Sequence, residues 1–175
     1  MKVKVKRKED EIKKLIAQRV AVFIDTANLY HSAKNLYGAK VNFKEVLKEA
    51  IDKRSFVRAL AYVIRTKTGE EKSFVEALKK MGIEIREKEL QEYPSGFKKG
   101  DWDVGITIDA IRIASSVDVI VLVSGDGDFL QLVEYLKNQG KRVEIMAFGK
   151  TTSTKLKEAA DEFKDLEKNL EKFLL

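Results

Sequence analysis

Continuous apolar runs alternate along this chain with stretches whose apolar residues recur at helical spacing. The clearest run is the seven-residue stretch Val117 to Val123, which is almost entirely β-branched and apolar and ends abruptly at the loop Ser124 to Asp128. A run of this kind, bounded by Gly and Asp, is typical of a strand buried on both faces of a parallel sheet. Apolar residues then return at helical spacing. The pattern therefore predicts a strand, a tight acidic turn and a helix.

Four further apolar runs predict buried strands, and helical spacing predicts a helix between most successive runs. Strands that alternate with helices through short connections indicate a parallel sheet with helices on both faces. We therefore predict an α/β fold, a Rossmann-like three-layer sandwich around five strands, ending in one long amphipathic helix. The other predicted strands are Val20 to Ile24, Phe56 to Arg65, Ile83 to Arg86 and Arg142 to Ala147. The predicted helices are Leu29 to Leu36, Phe43 to Ile51, Glu70 to Met81, Trp102 to Ala114, Phe129 to Asn138 and a last helix that starts within Thr151 to Thr154 and runs to the C-terminus.

Length and composition narrow the class of protein. The 175 residues predict a single domain with a substantial core. No apolar run approaches the roughly 20 residues that cross a bilayer, and the N-terminus lacks the apolar centre of a signal peptide. The absence of Cys excludes a disulfide framework and a thiolate metal site. We therefore expect a cytoplasmic protein without membrane association.

The net charge of +6 is concentrated at the N-terminus. Residues 1 to 19 contain eight Lys or Arg and three Asp or Glu, which gives this basic arm a net charge of +5. Such an arm can bind the phosphate backbone of a nucleic acid. A frayed, solvated helix that lysine keeps in solution is an equally good interpretation.

Acidic residues follow two of the predicted strands directly. Asp25 ends the first strand, and Asp126 and Asp128 follow the fourth. All strands of a parallel sheet end at the same edge, so these carboxylates meet if the two strands are neighbours. Clustered carboxylate oxygens suit Mg²⁺ or Mn²⁺. The alternative is a turn in which one Asp caps the helix and the glycines supply positive φ angles.

The helix before the fourth strand begins near the same edge and has further acids. Asp101 is more readily explained as an N-cap, and Asp103 in the first turn is favoured by the helix dipole alone. Asp109 follows Asp103 by six residues, a rotation of roughly 240°, so the two do not share a face. Within so apolar a helix, Asp109 needs a partner at the site or on neighbouring backbone.

Three polar residues near the predicted edge have two interpretations each. Asn28 can cap the first helix, or it can hold a phosphate or a metal-bound water. Ser124 can contribute to the site or simply hold the turn. His31 is the only histidine, and a single histidine on a helix is more often structural than catalytic.

Three segments of the chain resemble a known family. FIDTANL at Phe23 to Leu29, KGDWDVGITIDAI at Lys99 to Ile111 and SGDGDFLQLV at Ser124 to Val133 are similar to the motifs of the NYN domain, in the same order. They are most similar to its bacterial branch related to LabA. The run from Lys155 to Leu166 also resembles the helix that follows the last strand in that branch. The resemblance extends from Val20 to Leu166.

The resemblance implies a PIN-like fold with the strand order 3-2-1-4-5, which makes the first and fourth strands neighbours. It divides the chain into the basic arm 1–19, the NYN domain 20–166 and, at 167–175, the end of the C-terminal amphipathic helix. The family is expected to contain Mg²⁺- or Mn²⁺-dependent ribonucleases.

The family motifs, transferred position by position, imply an acidic metal cluster with Asn28 beside it. The cluster consists of Asp25, Asp103, Asp126 and Asp128. Asp109 corresponds to a second acid of the helical motif. The spacing after Gly100 leaves Asp101 open as the equivalent of Asp103, although Val104 favours Asp103. Ser124 is a further candidate.

The resulting expectation is a metal-dependent endoribonuclease that cleaves single-stranded RNA with one or two Mg²⁺ or Mn²⁺ ions. The alternative is a non-catalytic, regulatory RNA-binding module of the same fold. A haloacid-dehalogenase-type enzyme is disfavoured because Ala27 stands where it needs a second Asp, and neither GxGxxG nor a P-loop occurs. The oligomeric state stays open between monomer and homodimer. Expected RNA contacts are Lys4, Lys6, Arg7, Lys98 and Lys99, with Tyr93, Phe97 and Trp102 as candidates for base stacking, although core packing suits Trp102 at least as well.

Overall fold

A six-stranded parallel sheet forms the centre of the molecule, in the order β3-β2-β1-β6-β7-β8. The structure, a computed structural model, describes Lys13, residues 16–96 and residues 98–175, and for Lys98 the backbone alone. The sheet strands are β1 (Arg19–Asp25), β2 (Ser55–Arg65), β3 (Glu84–Glu89), β6 (Val119–Val123), β7 (Arg142–Ala147) and β8 (Glu162–Asp165), and a separate two-stranded hairpin pairs β4 (Gln91–Glu92) with β5 (Lys98–Lys99).

Helices cover both faces of the sheet, which confirms the predicted three-layer α/β fold. Apolar residues of α1, α2, α3 and α7 pack on one face, and those of α4, α5 and α6 pack on the other. Short 3₁₀ turns join several of these elements. The helices are α1 (Thr26–Tyr37), α2 (Phe43–Ile51), α3 (Lys72–Lys80), α4 (Asp103–Ala114), α5 (Leu130–Asn138), α6 (Thr154–Ala159) and α7 (Leu170–Phe173), and the 3₁₀ turns are Gly127–Phe129, Gly149–Thr151 and Leu166–Asn169.

The central strands are neighbours, as the expected order requires. β1 pairs in parallel with β6, with Ile24 opposite Val123, so both strands end at one edge of the sheet. All five residues of β6 are buried. This burial on both faces explains why the run lacks the polar alternation of a half-exposed strand. The order of the five predicted strands is confirmed.

The sixth strand corrects the prediction of a long C-terminal helix. α6 ends at Ala159, and β8 then pairs in parallel with β7 at the edge of the sheet. Phe163 packs on the face of the sheet that α4, α5 and α6 cover. Lys164, the next residue, approaches Glu144 on the opposite face. Alternation of this kind has the period of a strand, but four partly exposed residues are too few for it to dominate the apolar pattern. Residues 167–175 are correspondingly a 3₁₀ turn and the short α7, and not the end of one helix.

The described part of the N-terminal arm joins the sheet. Lys13, Ile16 and Ala17 are helical, and β1 begins at Arg19. The Arg19 guanidinium donates to Asp118 with an Nη2–Oδ1 distance of 2.9 Å, so one of the arm's cations belongs to the folded domain. The predicted RNA contacts Lys4, Lys6 and Arg7 lie outside the described residues. Across the described parts of the chain, no helix combines the length and apolar character that a membrane span needs.

Candidate metal centre

The loop after β6 is tied to the start of α1 at the carboxyl edge of the sheet. We call Ser124 to Asp128 the acid loop. The Ser124 hydroxyl donates to Asp25 Oδ2 at 3.0 Å, and the Gly125 amide donates to Asn28 Oδ1 at 3.0 Å. Asp25 in turn caps α1 by accepting the Asn28 amide at 3.1 Å. Ser124 and Asn28 therefore hold the two chain segments in fixed relative positions.

Three carboxylates from two separate segments meet beside this connection. One oxygen each of Asp103, Asp126 and Asp128 lies within 4.8 Å of the other two. We call these residues the acidic group. Asp103 begins α4, and Asp126 caps the following 3₁₀ turn by accepting the Asp128 amide at 3.0 Å. The cap expected in the acid loop thus exists at Asp126, together with the convergence of acids. The cap expected at Asn28 is wrong, because Asp25 caps α1 and Asn28 lies within the helix.

The charges at this edge are not neutralised by any side chain that the structure describes. Among the described residues, none of Asp25 and the acidic group forms an ion pair. Burial, together with the charges of Asp126, Asp101, Asp25 and Asp128, raises the pKa of Asp103 to about 6. Burial also raises the pKa of Asp25, against the hydrogen bonds it accepts from Asn28 and Ser124. A divalent cation is the group that would relieve this repulsion.

The acid loop needs its glycines for close packing. A Cβ atom on Gly125 would lie 2.7 Å from Thr152 Oγ1, and one on Gly127 would lie 3.1 Å from Ser153. Neither glycine has a positive φ angle, so the expected turn with left-handed glycines is wrong. The segment after β7 therefore supports the acid loop from the side. The sequence pattern predicts only a helix start in this segment. Its position directly after a buried strand, however, indicates that it lies at the same edge of the sheet as the acid loop.

The two other acids of the helical motif are not members of the acidic group. Asp101 is exposed and precedes α4, whose N-cap position is Trp102, without a side-chain capping bond. The interpretation of Asp101 as N-cap is therefore wrong. Asp109 Oδ2 accepts from the Tyr62 hydroxyl at 3.0 Å and from Arg86 Nε at 3.3 Å. Its partners are thus side chains of β2 and β3, and neither the acidic group nor neighbouring backbone.

Trp102 is part of the packing of α4 on the sheet. Its indole Nε1 donates to the Val63 carbonyl at 3.1 Å, and its ring centroid lies 5.3 Å from that of Tyr62. These contacts agree with core packing. Lys99 is exposed in the hairpin, and Tyr93 is 46% exposed. The predicted contacts of Phe97 and of the Lys98 side chain lie outside the described residues.

Comparison with known families identifies the fold around this edge. The family model of the NYN domain matches residues 19–167. The chain belongs to the NYN domain family. It is 28% identical over 156 residues to the Low amplitude and bright protein LabA of Synechococcus elongatus, a match that covers 85% of this chain and 83% of LabA. Its structure is similar to that of a protein of unknown function from Vibrio parahaemolyticus, with a TM-score of 0.83, 34% identity and coverage of 91% and 98% of the two chains.

The NYN assignment confirms the resemblance found in three sequence segments. The first segment forms the end of β1 and the start of α1, and the second begins α4. The third contains the acid loop and the start of α5. Each segment of this NYN domain supplies at least one carboxylate at the carboxyl edge, although they are separated widely along the chain.

Proposed function

We propose that this NYN protein is a Mg²⁺- or Mn²⁺-dependent endoribonuclease that hydrolyses single-stranded RNA. The observation that carries the proposal is the acidic group, whose oxygens lie within 4.8 Å of one another with no cationic side chain paired to them in the described structure. Membership of the NYN family supports the same activity.

The donor set suits a hard divalent cation. The candidate ligands are carboxylate oxygens, and the chain has no Cys to supply a thiolate. The spread of the oxygens is compatible with one ion that they share, at ordinary metal–oxygen distances of roughly 2.0 to 2.6 Å. Asp103, Asp126 and Asp128 would hold the ion, and Asp25 would add a fourth negative charge nearby.

The chemistry divides between the ion and the protein. A bound Mg²⁺ or Mn²⁺ supplies charge neutralisation at the scissile phosphate and lowers the pKa of a water. The chain's own task is to keep the carboxylates in place before substrate arrives. Ser124 and Asn28 fulfil this task through their bonds to Asp25 and Gly125, and no side-chain nucleophile is required.

Phosphate-binding groups beyond the acidic group are also part of the proposal. The acidic edge repels RNA in the absence of metal, so affinity must come from cations elsewhere. Lys99 is exposed on the hairpin, and we propose Lys4, Lys6 and Arg7 of the basic arm and Lys98 as further backbone contacts. Cytoplasmic localisation is a prediction from the sequence, which leaves the oligomeric state open between monomer and homodimer.

The direct test is cleavage of end-labelled single-stranded RNA by the purified protein in Mg²⁺, Mn²⁺ or EDTA. We expect endonucleolytic products only with metal, and a loss of ~100-fold or more in Asp126→Asn. The matched control is Asp118→Asn, at the other end of the β6 segment, which should retain activity. Equal cleavage in EDTA, or an active Asp126→Asn variant, would contradict the proposal. Metal-dependent RNA binding without cleavage would instead support a non-catalytic RNA-binding module.

A further inference from the structure

Helix α1 has an exposed aromatic and basic face directly beside the acidic edge. The helix begins one residue after Asp25, and Asn28 in its first turn binds the acid loop. Tyr30 and His31 follow at about one turn and Lys34 at about two turns, so helical spacing places the three side chains on one face. Because each residue advances the helix by roughly 1.5 Å, Tyr30 lies about 8 Å along the axis from Asp25.

The Tyr30 ring is ordered by its neighbours without being covered by them. Tyr30 is 46% exposed, although its ring packs against other side chains. Its ring centroid lies 5.3 Å from that of His31 in an edge-to-face arrangement. Lys34 Nζ lies 5.5 Å from the ring centroid and 3.4 Å from the tyrosine hydroxyl. A flat aromatic surface is thus held in place beside a cation.

The charge of this face distinguishes α1 from the other helices. The sequence of α1, TANLYHSAKNLY, contains no Asp or Glu, whereas each of the other helices in the described parts of the chain contains at least one. His31 is close enough to Asp25 to affect its pKa. Burial raises the pKa of Asp25, but the charge of His31 acts in the opposite direction. Helix α1 therefore presents Lys34, and no carboxylate, beside the carboxyl edge.

We propose that the α1 face, formed by Tyr30, His31 and Lys34, binds one nucleotide of a single-stranded RNA whose neighbouring phosphodiester lies at the acidic group. The base stacks on the Tyr30 ring, and Lys34 contacts the adjoining phosphate. This inference rests on the proposed function, since it specifies how the same site takes its substrate. It favours single strands because the faces of paired bases in a duplex are already stacked and unavailable to a protein ring.

The test is binding of a labelled single-stranded oligoribonucleotide, measured by fluorescence anisotropy with Mg²⁺ in the Asp126→Asn background so that the strand stays intact. We expect Tyr30→Ala to weaken binding by about 5- to 140-fold, the effect of losing one stacked base. Tyr30→Phe keeps the ring and should bind nearly as well as the parent. Binding of the corresponding duplex should be unaffected by either substitution.

A matched control is available on another helix. Tyr135 on α5 is 45% exposed, close to the value for Tyr30, and Tyr135→Ala should leave RNA binding unchanged. Lys34→Gln should lower the slope of log affinity against log salt by roughly 0.7, the value for one phosphate contact on a single strand. Unchanged duplex binding by Tyr30→Ala separates the loss of stacking from any effect of the substitution on folding.

Each outcome bears on this inference separately from the proposed activity. Unchanged binding by Tyr30→Ala, an equal loss in Tyr30→Phe or Tyr135→Ala, or no RNA binding by the parent would overturn the inference. A Tyr30→Ala variant whose oligomeric state changes while its RNA affinity does not would assign this face to a protein partner and would also overturn it. A parent protein that cleaves nothing but loses RNA affinity in Tyr30→Ala would refute the nuclease and support the α1 face.

Discussion

The buried acid Glu144 and the partly exposed acidic group have opposite electrostatic environments. Glu144 on β7 is fully buried and accepts hydrogen bonds from Arg54 at 2.6 and 3.0 Å and from Arg142 at 2.8 Å. Lys164 lies 3.5 Å away. Burial raises the pKa of Glu144, but the bonds from Arg54 and Arg142 outweigh it, so the pKa is below its ordinary value. The pKa of Asp103 is shifted in the opposite direction.

The comparison separates structural acids from candidate ligands. A carboxylate with a structural role has cationic side chains as partners, as Glu144 does. The carboxylates of the acidic group repel one another and have no such partners among the described residues. The fold therefore maintains an unfavourable charge arrangement at one edge, as expected where a ligand provides the missing charge.

Removing the buried acid should produce the largest effect on stability. We predict that Glu144→Ala lowers the free energy of unfolding by about 3–5 kcal/mol, because it leaves the Arg54 guanidinium buried without its partner. Arg54 is already short of one hydrogen bond, since its Nε atom has no partner among the described residues. Urea denaturation followed by circular dichroism measures the change.

A double substitution provides the control for this prediction. Arg54→Met combined with Glu144→Leu removes both charges and should recover most of the stability lost in Glu144→Ala. If Glu144→Ala were as stable as the parent, the ion pairs of Glu144 would not contribute to stability. The contrast between the two acid groups would then fail.

The order of the five predicted strands and the layers of the fold were predictable because the decisive segments are buried. Val20 to Ile24 and Val117 to Val123 are short runs that are apolar on both faces, a pattern typical of central strands in a parallel sheet. β8 was missed because Glu162 to Asp165 is a partly exposed edge strand whose polar residues pair with neighbours in space. A single helix was predicted because apolar residues recur at helical spacing through this whole segment, which includes the true helices α6 and α7.

A second prediction concerns how the acid loop is held without a neutralising charge. Close packing against Thr152 holds the loop in place, since a Cβ atom on Gly125 would also lie 3.0 Å from the Thr152 Cα. Gly125→Ala should therefore lower the free energy of unfolding by about 1–3 kcal/mol and displace the acidic group. Urea denaturation and a Mn²⁺ titration measure the two effects.

The matched control for Gly125→Ala lies in a more open position. A Cβ atom on Gly140 meets nothing within 4 Å, but its φ of +77° adds strain to any substitution there. Gly140→Ala should therefore lose stability while its Mn²⁺ affinity remains that of the parent. Weakened Mn²⁺ binding in both glycine variants, or in neither, would contradict a specific role for the close contact at Thr152.

The candidate site was only partly predictable, since side-chain partners come from distant segments. The sequence motifs indicated Asp103, Asp126 and Asp128, which the structure brings together. They gave no means of finding the partners of Asp109, because Tyr62 and Arg86 lie 47 and 23 residues away on two other strands. The α1 face was also missed, because Tyr30 and Lys34 at helical spacing resemble any solvated helix until the position of Asp25 is known.

The smallest predicted effect tests the repulsion itself, by substituting Asp103 in metal-free protein. A carboxyl group whose folded pKa lies above its unfolded pKa destabilises the folded state when it ionises. For Asp103 the destabilisation is absent below about pH 4, grows as the pH rises toward its folded pKa of about 6, and stays constant above that value. With allowance for solvent screening, Asp103→Asn should be about 1–2 kcal/mol more stable than the parent in EDTA at pH 8, and no more stable at pH 4.

The control is Asp109→Asn, on the same helix. It should be less stable than the parent at pH 8, because it loses a charge-assisted bond to Arg86. Urea denaturation at the two pH values measures both variants, and a destabilised Asp103→Asn at pH 8 would mean that Asp103, like Glu144, is held by the fold for stability.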